Sequence, residues 1–441
     1  EVKNESSVKS EWDHHFAPGK DGWGLLADFH NRVASAIHKK SPGVKVGGPA
    51  SAYMQMQVKD FTLYRSQARF IEETRGQIDF FSHHFYENAG TAGAYARRGD
   101  GYSSYLLGRY EAILDMLRAH MEKVDHVLPI LVTETGSLQN GREPSENWHR
   151  LYAWSAYLNK SMQRPDQLDL FIPFIFLHMP WNPHSGDAAF TPREDVDRPI
   201  KLDDFEPSII ASFFELWRDF DGKRLPVSFD QDWLDVTAVH DGRRVSLAVT
   251  NMGGQQLALD LSETAKAIGA TQARQVRLNY HGGEVSFEPE TKVDPAAVPV
   301  DVNETTVIRL LLPEDAPLKP DGQLTLRRHY ATETAVKSVA EPIQFLISVD
   351  SPSKVEEAHL LIGLHRQGGI HEPLEVRVND TQVEFAIGDA AEFSEYFGTL
   401  EAKVPAALLK AENDVTISVQ KDATITSVQI LTTNSLSPSE N

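Results

Sequence analysis

The chain has 441 residues, 41% of them hydrophobic and 24% charged, with a formal net charge of −20 and no cysteine. That length supports two or three domains with substantial cores, and the missing thiols exclude disulfides, thiolate metal sites and cysteine nucleophiles. The acidic balance disfavours a nucleic-acid partner, which needs a basic face; a heavily sulfated polymer would need local clusters of arginine or lysine.

In chain order, the opening EVKNE reads as the tail of a buried strand tipped by Asn4 and Glu5. GWGLLADFHNRVASAIHKK follows, with Leu25, Phe29, Val33 and Ile37 on one helical stripe. VKVGGPA (44–50), IDFFSHHFYE (78–87), PILVTETG (129–136) and LFIPFIFLHMPW (170–181) are apolar runs that turn polar at their C-terminal ends. None approaches the ~20 residues that span a bilayer. YEAILDMLRAHMEK, NWHRLYAWSAYLNKSM and PSIIASFFELWRDF carry helical periods between and after them. Doubly buried strands alternating with helices predict a parallel sheet. Polar strand tips are the disposition of a (β/α)8 barrel, whose active site gathers at the C-terminal ends of its strands. Five strands fall short of eight, so the expectation is a partial TIM barrel, strands 4–8, lacking about three N-terminal βα units. Such an isolated piece is expected to be poorly soluble or inactive, because it exposes unpaired strand edges.

From about residue 221 the texture changes to alternating runs. WLDVTAVHDGRRVSLAVTNM places two such runs around Asp241-Gly242, a hairpin signal. A proline-rich bridge, LPEDAPLKPDG, separates this region from PIQFLISVDS, EAHLLIGLHR, LEVRVNDTQVEFAI and DVTISVQ. The expected organisation is α/β plus all-β: a barrel piece over 1–220 and β-sandwiches over 221–316 and 317–441.

Two strand tips carry glutamate, Glu5 after Asn4 and Glu134 in ILVTETG. Paired carboxylates at a barrel mouth are the equipment of glycoside hydrolysis, and a separation of about 5–5.5 Å gives a retaining, double-displacement route. Asn-Glu recurs at Asn303-Glu304 and Thr-Glu-Thr at 332–334, both in the all-β region, so the strand context carries the reading and the dipeptides do not. In FFSHHFYEN, period-two geometry puts Ser82, His84 and Tyr86 on one face and His83 and Phe85 on the other. Tyr86 is then placed to donate to an ionised Glu134, His84 to do likewise or to bind a sugar hydroxyl, and His83 to be a core histidine. Trp181 at the last strand's tip, with Trp12 and Trp23 in the long loop after the first strand, are candidate stacking platforms for sugar rings or else packing residues. Glu87 and Glu11 rank below Glu5, since neither ends a strand after Asn. No His-x-His or His-Glu-x-x-His pair stands with ligand spacing, and no metal or cofactor is expected. His14-His15 reads as a surface or substrate contact.

Together these residues resemble the clan A glycoside hydrolases, and EVKNE, FFSHHFYEN, ILVTETG and HMPWNP with two trailing β-sandwiches resemble glycoside hydrolase family 86. The resemblance implies a secreted, periplasmic or cell-surface bacterial enzyme, an endo-acting β-agarase or β-porphyranase that cuts β-galactosidic bonds in a red-algal galactan. It implies Glu5 as acid/base, Glu134 as nucleophile and Asn4 as a substrate contact, with a monomer favoured. The clan's arginine near the nucleophile on strand two has no counterpart here. Another clan A glycanase acting on xylan or mannan, and a non-catalytic carbohydrate-binding protein with an incomplete barrel, are the competing readings.

Overall fold

In a computed structural model of the protein, the structure describes residues 1–7, 10–52, 55–87, 105–138, 141–179, 188–193, 200–227, 233–318 and 323–436. The first half alternates helix and strand: α1 Gly22–Lys40, β1 Gly47–Ser51, α2 Val58–Glu73, β2 Phe80–Glu87, α3 Arg109–Lys123, β3 Ile130–Ser137, α4 Pro144–Met162 and β4 Leu168–Pro173. The four strands form one parallel sheet in the order β1-β2-β3-β4.

Local chemistry explains several of these boundaries. Asp21 caps α1 by accepting from the Gly24 amide, and Arg69 of α2 clamps the same carboxylate at 2.6 and 2.8 Å. Pro144 opens α4 behind a capping box between Glu143 and Glu146. The Gly-Gly of VKVGGPAS serves close approach: a Cβ on Gly47 would lie 2.2 Å from the Phe80 carbonyl of β2, and one on Gly48 2.3 Å from His30 Nε2 of α1. Any larger residue would push strand from strand or strand from helix.

Three expectations are corrected. The opening EVKNE is a bend, not a strand; Val2 and Glu5 donate single amide bonds to Gly47 and Ala50 beside β1, at 3.0 and 3.1 Å, so the described parallel strands number four. The buried stripe of α1 runs through Leu26, Ala27, His30 and Ala34, while Leu25 is exposed; the face is rotated toward His30, whose ring lies close against Gly48 of β1. The last apolar run stops being a strand at Pro173, which cannot donate to the ladder. Leu170 and Ile172 on β4 are exposed.

The later strands pair antiparallel, with short helices at Ser212–Trp217 and Ser262–Ala267. The predicted hairpin forms between Leu234–His240 and Arg244–Asn251, with Gly242 at φ 91°. Its sheet has the order Glu284–Val293, Gln272–His281, Thr305–Leu311, Arg244–Asn251, Leu234–His240, Lys223–Leu225. Next come a sheet in the order Gln323–Tyr330, Thr424–Leu436, Glu357–Gln367, Glu395–Val404, and a second in the order Ile343–Ser348, Glu412–Ser418, Glu375–Val378, Thr381–Val383. No helix among the described residues is long and apolar enough to cross a membrane.

Candidate active site

The chemistry-bearing side chains meet at the C-terminal ends of β2 and β3. These strands are in register with His84 opposite Glu134, just after a register shift at His83/His84. Alternation along β2 sorts its side chains. His83 and Phe85 point toward the helices, stacked at 4.4 Å, and the Phe85 ring meets the edges of Tyr105 and Tyr110. His84 and Tyr86 point the other way and reach the two glutamates.

His84 Nδ1 lies 2.9 Å from Glu5 Oε1 and 3.5 Å from Glu134 Oε2. Donor atoms of Glu5, His84 and Glu134 all fall within 4.8 Å of one another. The Tyr86 hydroxyl donates a short hydrogen bond to Glu134 Oε1. Glu5 is 4% exposed, while the Glu134 side chain keeps 18% of its surface. Two carboxylates therefore share one histidine in a largely dry recess, where their charges interact strongly.

Glu5 is aimed by a relay. Ser82 Oγ accepts from the Ala50 amide at 3.0 Å, and the Ala50 carbonyl accepts from the Glu5 amide at 3.1 Å. Ala50 and Glu5 both take left-handed backbone angles, φ 51° and 48°, a conformation unfavourable for residues with a Cβ. Glu134 is braced from behind: Trp154 Nε1 of α4 donates to the Thr135 carbonyl at 3.1 Å. A Cβ on Gly136 would lie 3.3 Å from the Tyr86 ring, so the small residue after Thr135 makes room for that ring. The Ser82–Ala50 relay had no signal in the sequence, because it joins two strands through one hydroxyl and one amide.

Other singled-out residues take different places. Asn4 is exposed beside Glu5. Trp12 is buried against His15 at 4.3 Å and Phe29 at 5.7 Å, with Lys3 over its ring; it is a packing residue and no platform. Trp23 stands in α1, not in a loop, its ring against Phe16 and Phe70. Burial decides Trp12, and two aromatic neighbours decide Trp23. Trp181 lies outside the described residues, as does the Glu11 side chain. Glu87 is fully buried and accepts from the Leu106 amide and Tyr157 hydroxyl, a structural anchor. His83 is fully buried, its Nδ1 2.7 Å from the His84 carbonyl, and burial lowers its pKa to about 3. His14 is exposed, its ring against that of His15.

One donor set that a metal could use, Glu5–His84–Glu134, coincides with the paired carboxylates. Tyr86 and His84 direct hydrogen-bonding groups at these oxygens, which suits proton chemistry.

Comparison with known proteins places this geometry in context. Residues 344–433 match the family model described as beta porphyranase A C-terminal. The chain is 24% identical over 411 residues to the funoran endo-beta-hydrolase of Wenyingzhuangia aestuarii, covering 89% of this chain and 55% of that protein. It is 25% identical over 304 residues to beta-porphyranase A of Phocaeicola plebeius, covering 64% and 40%. The chain thus spans about half the length of the curated relatives it matches. Among solved structures, BuGH86 with neoagarooctaose superposes with TM-score 0.80 at 21% identity, over 98% of this chain and 70% of that one. BpGH86A, a beta-porphyranase of glycoside hydrolase family 86 from the human gut bacterium Bacteroides plebeius, gives 0.78 at 20%, over 96% and 77%. Those likenesses establish a shared fold. The homologues are family 86 porphyranases and agarases, so the resemblance read from the sequence holds.

Proposed function

We propose that the chain carries the catalytic centre of a retaining, endo-acting family 86 glycoside hydrolase that cuts β-galactosidic bonds in red-algal galactans. The observation that carries this reading is the close pair of carboxylates, Glu5 and Glu134, with donor oxygens inside 4.8 Å. Inverting enzymes separate their carboxyl groups by roughly 6.5–9.5 Å to admit a water, whereas retaining ones hold them at about 5–5.5 Å.

In the first step Glu134 attacks the anomeric carbon, the glycosidic C–O bond breaks, and Glu5 delivers its proton to the departing oxygen. In the second, Glu5 removes a proton from water, which attacks the anomeric carbon and releases Glu134. Tyr86 holds Glu134 deprotonated by donating to it, and the deeper burial of Glu5 favours its protonated form before the first step. His84, with Nδ1 2.9 Å from Glu5 and 3.5 Å from Glu134, bridges the two carboxylates. Asn4 at the rim is a substrate contact.

The parallel sheet and its helices are read as barrel strands 5–8 preceded by the Glu5 bend, within 1–220, with β-sandwiches at 221–316 and 317–441 bracing it. Agarose and porphyran are the substrates favoured, and the funoran hydrolase relative adds a third red-algal polymer to the panel. The protein is read as secreted, periplasmic or cell-surface, and monomeric. The test is reducing-end release by the full-length protein from agarose, porphyran, funoran, xylan and mannan. Wild type is expected to cut a galactan and Glu134→Ala to fall by about 10³-fold or more. Glu134→Ala activity near wild type, or cleavage of xylan or mannan alone, would refute the assignment.

A further inference from the structure

A cavity of about 600 Å³ lies well apart from the paired glutamates, where α3, α4, the strand Lys223–Leu225 and the final sheets converge. None of Glu5, His84, Tyr86 or Glu134 lines it. Its volume is in the range of small-ligand sites.

In a chain of net charge −20, the lining of this cavity sets four carboxylates, Glu111, Asp235, Glu357 and Glu401, against four cations, Lys160, Arg164, Arg224 and Arg328. Three of them are answered. Lys160 is paired with Glu111 and Asp235, Arg164 with Asp115, and Arg328 with Asp166. Arg224 is not: among the described residues it has no ion pair, and its Nη1 is shielded from solvent without a hydrogen-bond partner. Burial and the neighbouring Arg328 push its guanidinium pKa down from the ordinary value, against the pull of Asp166, so an added anion would stabilise its charge. Arg328 is 95% buried by its side chain's 5% exposure, and its Nε is also unpartnered. The Thr399 hydroxyl on the same lining is a third buried polar atom without a partner. Buried donors of this kind are normally satisfied.

We propose that this cavity is a second binding site, for an oxyanion held by Arg224 with Arg328 and Thr399. Planar guanidinium groups match the oxygens of sulfate and phosphate. The ligand chemistry is therefore a sulfate or phosphate group, either as the free ion or as an ester on a glycan. Trp233 on the lining offers a ring surface suited to the glycan form. A half-buried guanidinium with no ion pair among the described residues is a local cation of the kind an acidic protein needs in order to hold a sulfated group.

The test is isothermal titration of the full-length protein with sodium sulfate, against sodium chloride at matched ionic strength. Sulfate is expected to bind with a saturable heat that chloride lacks. Arg224→Gln should weaken it about tenfold or more, the loss of one charge-assisted contact, and Arg224→Lys should retain part of it. Thr399→Val serves as a second variant should Arg224→Gln fail to fold, and is expected to weaken binding more mildly. Displacement of sulfate by a sulfated galactan oligosaccharide, but not by its desulfated form, identifies the glycan ester as the source; displacement by neither identifies the free ion, and both support the site. Indistinguishable sulfate and chloride titrations, or sulfate binding unchanged in Arg224→Gln and Thr399→Val, would overturn it.

Discussion

Tyr86 and His84 show how much of the proposed chemistry depends on single atoms. The Tyr86 hydroxyl donates directly to Glu134, the carboxylate read as the nucleophile. Tyr86→Phe should therefore lower kcat by about 10–100-fold with little change in KM, the effect of losing a hydrogen bond to a charged group. Steady-state kinetics on the cleaved galactan check this; a rise in KM alone would make Tyr86 a substrate contact. His84 and Tyr86 were legible because alternation along a strand is a geometric necessity, and Glu134 because it ends an apolar run. Trp12 and Trp23 misled for the converse reason. A tryptophan's chemistry is the same in a cleft and in a core, and only neighbours such as Phe29 and Phe70, distant in sequence, decide which it is.

At the level of the elements, two buried histidines tie strands to their surroundings. His30 of α1 lies against Gly48 of β1 and meets the Phe70 ring edge-on at 5.0 Å. Burial lowers its pKa to about 4, despite the Leu26 carbonyl beside its Nδ1, as burial lowers His83 on β2 to about 3. Both folded values lie below the unfolded one near 6.5. The unfolded chain thus takes up protons first as pH falls, and the stability these rings contribute is fully present above pH 6.5 and lost below it. At pH 5 the loss is about 2 kcal/mol per histidine. Thermal unfolding should show Tm declining between pH 7 and 5, a range in which ordinary carboxylates stay ionised, with shallower slopes in His30→Gln and His83→Gln. A wild-type Tm flat across that range would contradict it. The elements themselves were largely readable, since β2, β3, α3 and the Asp241-Gly242 hairpin follow period and turn chemistry. The opening bend was not, because its two contacts with β1 are backbone amides that any residues could make.

Across the whole molecule, buried charges join segments that are remote in sequence. Lys160 of α4 sits between Glu111 of α3 at 2.6 Å and Asp235 of the strand Leu234–His240 at 2.7 Å. Burial alone would lower its pKa, but the two carboxylates hold it above the ordinary lysine value. Arg164 and Asp115 add a second junction, which reaches Tyr330 of the later sheet through Gln167. Lys160→Met leaves two carboxylates facing each other and should destabilise the protein by about 3–5 kcal/mol. Calorimetry is the check, and a Tm within a degree of wild type would contradict the account. No such network, nor the cavity beside it, can be read from the sequence, because each draws on segments more than a hundred residues apart.

The central claim is that Glu5 and Glu134 act as a close, double-displacement pair. The most direct measurement is the anomeric configuration of the product first released from a galactan by the full-length protein, followed by proton NMR before mutarotation. The account predicts the β-anomer, with configuration retained at the cleaved bond. Initial appearance of the α-anomer would mean a single displacement and would contradict it.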